Sequence, residues 1–377
     1  CTFDPHSERE YFAVRNAAGL LDVSPLHKYE VRGPGAAALL SRVWTRDITR
    51  ISKGTVVYGC MCDEHGKMLD DGTVARLGDQ HFRMTSSERW GWWLRRHARG
   101  LDVTIEDSSD TLCALALQGP ASRAVLQAVT DFDMARMRFF RIRRMKLGGV
   151  DVHVSRTGYT GDLGYEIWAS ADDALAVWDA LVEAGKPFAL EPIGLDALDV
   201  LRIEAGFVLQ GIDYTCAMRC MTEARKSTPD EAGLGWTVEL DRAPFVGQAA
   251  IRAERARQPT WAFVGVEVDW AELEQLYERY GLPPHLAPVA SRAALPLYDA
   301  RGRHVGQVTS HTWSPVTKRQ IGLATVSAEF AEEGTELRIE HTVEYARERV
   351  TARVVPRPFY DPERKRTTPG RTPRSTP

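Results

Sequence analysis

Apolar residues recur at helical spacing at the start of the chain, where Tyr11, Phe12, Val14 and Ala18 mark one face, so residues 8–21 are expected to form a helix. A strand is expected at 27–32, then a tight turn at Gly33-Pro34-Gly35 and a helix from Ala36 to about Trp44. Strands at 55–63 and 72–77 flank a turn at Glu64-His65-Gly66-Lys67. Residues 87–99 read as a helix carrying Trp90, Trp93, Leu94 and His97, and strands follow at 102–106 and 111–117. Residues 150–155 and 165–169 make another strand pair. Ser170 then reads as a helix N-cap, with Asp173 at the capping-box position and Gly185 past the end. Leu195, Leu198, Leu201 and Ala205 form the apolar stripe of a further helix closed by Gly206. After about Gly247 the text changes. Short strand-like runs between 262 and 356, punctuated by Gly and Pro, suggest a small closed β-barrel. Hairpins mixed with irregularly spaced helices favour α+β lobes over one doubly wound sheet.

Composition narrows the class. The 377 residues are 44% apolar and 26% charged, which excludes a disordered chain, and a formal net charge of −3 gives no reason to expect nucleic acid. No apolar run is long enough to span a bilayer, and no signal peptide is visible. The chain opens at Cys1 rather than Met, so its natural start is expected to be missing or processed. Cys60/Cys62 and Cys216/Cys220 lack metal-site spacing, so the expectation is reduced thiols in a cytoplasmic protein that holds no metal. Residues 361–377, basic and rich in Thr and Pro, read as a disordered tail.

Two segments carry candidate chemistry. Asp70-Asp71 ends a hairpin, and neighbours on a strand point to opposite faces, so one carboxylate can face a cavity. A polar pair closing a strand is the plainer account. The stretch Arg156-Thr157-Gly158-Tyr159-Thr160-Gly161-Asp162-Leu163-Gly164-Tyr165-Glu166 has three glycines that bring backbone close to something, then a carboxylate on a strand. A buried Glu166 needs donors. The paired N–H groups of a 2-amino-4-oxopyrimidine suit it, and so does an arginine such as Arg156 or Arg202.

In their order and spacing, these segments resemble the glycine-cleavage T-protein (aminomethyltransferase) family. The match runs through residues 18–24, 66–71, Leu117-Gln118-Gly119-Pro120, 157–166, Leu201-Arg202-Ile203-Glu204-Ala205-Gly206, Gly235-Trp236-Thr237 and 309–315. It covers about residues 8 to 359. The resemblance implies a three-lobed cloverleaf around a tetrahydrofolate channel. Residues 1–247 then make two interleaved α+β lobes, and 248–360 a C-terminal barrel. It also implies one-carbon transfer to tetrahydrofolate. On this match Asp71 is the catalytic acid, Glu166 grips the pterin, Tyr159 and Trp236 line the folate site, and Arg292 is a barrel arginine of the same site. Tyr58, Leu198 and Tyr214 are the candidates on the substrate side.

Departures from the family fall where the donor is recognised. Ala197-Leu198-Asp199 replaces Ala-Arg-Asp, Ser24-Pro25-Leu26 replaces Ser-His-Met, the loops 213–231 and 269–288 are longer, and an N-terminal Gly-Trp region has no counterpart. These changes favour a small methylated donor (O-, S- or N-methyl) over the aminomethyl-lipoyl arm of a carrier protein. A non-catalytic folate binder is the third reading. Retention of Asp71 speaks against it.

Overall fold

The computed structural model describes residues 7–287 and 289–368. Three sheets organise it. Val56–Cys62, Met68–Gly78, His81–Ser86, His27–Arg32 and Thr104–Asp107 lie side by side in that order, and every pairing is antiparallel. Helices Ala36–Val43 and Gly91–His97 close over this first lobe, whose core holds Leu39, Leu40, Trp44, Leu69, Phe82 and Trp93.

The second lobe has six strands in the order Leu190–Pro192, Ala18–Asp22, Leu112–Gln118, Gly164–Ser170, Val150–Ser155 and Ile142–Leu147. Helix Ala174–Gly185 packs Val177 and Leu181 on it. The chain thus enters the second sheet at Ala18–Asp22, leaves to build the first lobe, and returns at Leu112. The third unit is a closed six-stranded barrel, in the order Trp261–Val268, Arg319–Ser327, His304–Ser314, Leu295–Tyr298, Glu336–Val343 and Ala346–Val355. The expected α+β class with a C-terminal barrel is what the chain adopts.

Several local readings differ. The first helix is Ser7–Asn16 only, and Ala18–Asp22 is a strand. Ala18 and Leu20 face the second-lobe core while Leu21 packs with Tyr11 and Val14, so the strand is buried on both faces and shows no alternation. Helical structure in 87–99 is confined to Gly91–His97. Ser170 makes no capping bond: a 3-10 turn at Ala171–Asp173 precedes helix Ala174–Gly185, which includes Gly185. Leu195 is exposed, and the buried face of helix Leu195–Glu204 instead uses Ala197, Val200, Leu201 and Ile203.

The long loop 269–288 contains helix Trp270–Glu278, capped by Asp269. Leu273, Leu276 and Tyr277 pack it on the barrel. The segment is spent on covering the barrel, and none of these contacts involves Asp71 or Glu166. Residues 361–368 are held in place, unlike the expected disordered tail. Arg364 pairs with Asp162 at 2.7 Å, and Arg156 donates to the carbonyls of Lys365 and Thr367. The rest of that tail, 369–377, lies outside the described residues.

Candidate active site

The hairpin of Val56–Cys62 and Met68–Gly78 separates the two aspartates. Asp70 points into the first lobe and is fully buried. It accepts from Ser87 Oγ at 2.6 Å, the Glu88 amide at 3.0 Å, the Asp71 amide at 2.9 Å and Trp90 Nε1 at 2.7 Å. Burial, then the charge of Asp71, push its carboxyl up to about 7. The Trp90–Trp93 stretch is therefore a packed element that satisfies Asp70, with Trp92 left half out in solvent.

Asp71 faces the other way. Cys60 is its cross-strand partner, and Tyr58, two residues earlier, reaches over to donate its hydroxyl to Oδ2 at 2.7 Å. Tyr214, from the loop 213–231, donates to Oδ1. Burial pushes the Asp71 carboxyl up, and the two tyrosine hydroxyls act against that rise. Tyr58 also stacks on Trp236 with ring centres 5.9 Å apart. Trp236 is 65% exposed and forms an open wall.

Glu166 lies on Gly164–Ser170, opposite Ser155 on one side and Ala116 on the other. It accepts hydrogen bonds from Thr157 Oγ1 and, at 3.5 Å, from Ser155 Oγ. Burial raises its carboxyl above the ordinary range against these two hydroxyls. The alternative partner, an arginine, is not used. Arg156 is consumed by backbone carbonyls, and Arg202 by Asp199 at 2.7 Å, Asp213 at 2.6 Å and Ser310 at 2.7 Å. Among the described residues Glu166 has no ion pair. A desolvated carboxylate served only by hydroxyls fits a ligand that brings N–H donors.

Two of the glycines before it do bring backbone close to a neighbour, and that neighbour is a side chain of the protein itself. A side chain on Gly158 or Gly164 would meet the Gln118 amide at 2.0–2.1 Å. Gln118 fills that gap, donating to the carbonyls of Thr157 and Tyr165 and accepting from Thr160. It fixes the loop that presents Glu166. Tyr159 donates to the Val208 carbonyl and stacks on Phe207, with ring centres 5.5 Å apart.

Leu198 is partly buried against a cluster that includes Tyr11, Leu21, Ala197, Val200 and Leu201. Beside it, Asp199 bridges Arg202 and Arg292 at 2.7 Å each, and Arg292 remains about half exposed. Asp213 also accepts from Thr309 and Ser310, so this ionic chain ends next to Tyr214.

The sequence reading passed over one further feature. A cavity of about 710 Å³ opens between the first two lobes. Lys53, Arg136, Arg138, Arg141, Arg143 and Phe132 line it, while Asp71 and Glu166 do not. Arg141 donates to Thr55 Oγ1 at 2.6 Å and Arg143 lies over the Phe132 ring at 4.8 Å. Among the described residues none of the five cations forms an ion pair. Ile142, within this lining, pairs with Ser155, which pairs with Glu166, so the cavity edge lies two strand spacings, roughly 10 Å, from Glu166. The run Arg136-Met137-Arg138-Phe139-Phe140-Arg141-Ile142-Arg143-Arg144 was the signal for it.

Residues 2–242 match the family described as GCVT N-terminal domain, and 280–361 match the glycine cleavage T-protein C-terminal barrel domain. The chain belongs to the glycine-cleavage T-protein family. It is 37% identical over 359 residues to an aminomethyltransferase of Geobacillus kaustophilus, covering 94% of this chain and 90% of that protein. It is also 37% identical over 370 residues to a trimethylamine-oxide aldolase of Ruegeria pomeroyi, covering 95% of this chain but 43% of that longer protein. The solved glycine cleavage system aminomethyltransferase T of Bartonella henselae aligns with a TM-score of 0.79 and 26% identity, over 94% of this chain and 90% of that one. The T-protein family is one of folate-dependent one-carbon transferases, and these relatives are enzymes. Among the described residues no helix is long and apolar enough to cross a membrane.

Proposed function

We propose that this T-protein relative transfers a methyl group from a small methylated donor, bound through O, S or N, to tetrahydrofolate. The observation that carries this reading is the surroundings of the donor side. Leu198 packs in an apolar cluster where the family carries an arginine, and the extra loop 213–231 delivers Tyr214 to Asp71.

Tetrahydrofolate supplies the nucleophilic nitrogen that accepts the one-carbon unit. In our reading Glu166 takes the two pterin N–H donors, and Tyr159 and Trp236 wall the ring system. Arg292 stands at the edge. Asp71 lies by the reacting nitrogen. As the nitrogen bonds the methyl carbon, the bond from that carbon to the donor's O, S or N breaks, and the demethylated donor leaves with the electron pair. The carboxylate stabilises the positive charge on the nitrogen and accepts or relays its proton. The five cations of the interlobe cavity suit the glutamate end of the same molecule.

Release of ammonia and methylene-tetrahydrofolate from an aminomethyl-lipoyl carrier protein is the second reading. The near full-length likeness to an aminomethyltransferase favours it. Mass spectrometry separates the two. The protein is incubated with tetrahydrofolate and either a panel of O-, S- and N-methyl compounds or the loaded carrier. Accumulation of 5-methyl-tetrahydrofolate with a free donor supports the proposal. Efficient turnover of the carrier alone replaces it with the second reading, and binding without turnover of either leaves a folate-binding protein.

A further inference from the structure

Tyr214 opens a segment that the fold anchors in two places. On one side Asp213 is held by Arg202 at 2.6 Å, Thr309 at 2.5 Å, Ser310 at 2.8 Å and the Leu209 amide at 2.8 Å. On the other side the Ala217 amide donates to the Met68 carbonyl at 2.8 Å, and Cys216 and Ala217 enter the first-lobe core. The Met68 amide in turn donates to the Ser227 carbonyl at 2.9 Å. Both ends of the stretch 217–227 are therefore sewn to the strand that carries Asp71, three residues downstream of Met68. Tyr214 sits between these anchors, 3% exposed, with its hydroxyl on Asp71.

We propose that Tyr214 is a positioning residue which, together with Tyr58, keeps the desolvated Asp71 carboxylate ionised and fixed in direction. The inference rests on the reading of Asp71 given above. The titratable groups around Asp71 are Tyr58 and Cys60 from the adjoining strand, Tyr214 and Asp213 from the loop, Tyr159 from the second lobe and, on the opposite face of its own strand, Asp70, whose charge still reaches it. None is a cation, and Asp70 and Asp213 oppose a second negative charge. Among the described residues no ion pair reaches Asp71, so hydroxyl donors supply the compensation. A hydrogen bond to the charged form favours that form, and here each carboxylate oxygen receives one. The loop 213–231 thus acts on the chemistry through Asp71, and does so from the barrel side of the molecule.

Isotope-edited infrared spectroscopy tests this without a donor. Protein labelled with carboxyl-13C aspartate is titrated, and the protonated-carboxyl stretch is followed from about pH 4 to about pH 9. Asp71→Asn identifies the Asp71 band, and Asp70→Asn removes that of Asp70. In Tyr214→Phe the Asp71 midpoint should rise by about one pH unit. Tyr58→Phe, which frees the other oxygen, should move it the same way and serves if Tyr214→Phe does not fold. A midpoint unchanged to within about 0.2 of a pH unit in a folded variant overturns the proposal. Calorimetry with tetrahydrofolate runs in parallel. If the unmodified protein does not bind it, the folate reading fails. If binding is intact and the midpoint does not move, the tyrosine role alone fails.

Discussion

Trp90 donates its indole N–H to Oδ2 of Asp70 at 2.7 Å, and this bond turns Asp70 into a structural acid. The carboxylate accepts four hydrogen bonds, two on each oxygen. An amide keeps one accepting oxygen and turns its NH2 toward donors. Asp70→Asn should therefore destabilise the fold by at least about 2 kcal/mol, measured by urea denaturation, while the folded fraction keeps most of its turnover. The pH dependence has a definite sign. With its carboxyl raised to about 7, folded Asp70 binds a proton more tightly than the unfolded chain does. Its contribution to stability is then greatest below about pH 4 and falls as pH rises to about 7. That decline should be missing in the variant. An equal slope in both proteins would show that another group titrates.

Among the described residues Glu166 has no cation partner, and in the proposed reading the pterin supplies its N–H donors. Removing a charge-assisted contact costs about 1.5–3 kcal/mol, and Glu166→Gln should weaken tetrahydrofolate roughly ten- to a hundredfold. Because burial raises the Glu166 carboxyl, the free protein carries more of the neutral form as pH falls. Affinity should therefore drop toward acid, with proton release on binding across that range. Calorimetry in two buffers of different ionisation enthalpy reads both effects. Affinity unchanged in the variant would remove Glu166 from the site.

Asp71→Asn keeps the size of the side chain and loses its charge. Loss of a well-placed electrostatic group costs about a hundred- to a thousandfold in turnover. We expect that fall in kcat with the identified donor, while calorimetry still shows folate binding through Glu166. Near-normal turnover would mean that positioning alone carries the reaction.

Much of this was legible in the chain. The alternation around Asp70-Asp71 announces that the two acids part company, and the strand does separate them. The α+β class and the barrel followed from short strands broken by Gly and Pro. Ala18–Asp22 was not legible, because a strand buried on both faces has no period of two. Nor were the glycines of 158–164: spacing shows that something comes close, but only the fold shows that Gln118 does. The link from Tyr214 to Asp71 joins residues 143 positions apart, which no local pattern encodes.

The interlobe cavity gives the last prediction. Its five cations come from two stretches, Lys53 and then Arg136 to Arg143, brought together by backbone bonds from Val56 to Phe140 and from Ile142 to Gly54, each of 3.0 Å. Unpaired cations around one opening attract an anion with several charges, and the field weakens with salt. If the glutamate end of tetrahydrofolate reaches this cavity, each added glutamyl unit brings one more carboxylate to an arginine. Triglutamyl tetrahydrofolate should then bind more tightly than the monoglutamyl form, and the gap should narrow as salt rises. Exposed ion pairs contribute up to about 1 kcal/mol each, so neutralising two arginines should cost the triglutamyl form about tenfold. Arg138→Gln with Arg143→Gln is the suitable pair, because among the described residues neither side chain forms a hydrogen bond or an ion pair, and Arg143 only overlies Phe132. The monoglutamyl form, which brings two carboxylates where the triglutamyl form brings four, should lose less in this double change, and its contacts at Glu166 and Asp71, which do not line the cavity, should be untouched. Equal binding of the two forms by the unmodified protein would place the glutamate end elsewhere. An equal loss for both forms in the double variant would show that the arginines act on the protein as a whole.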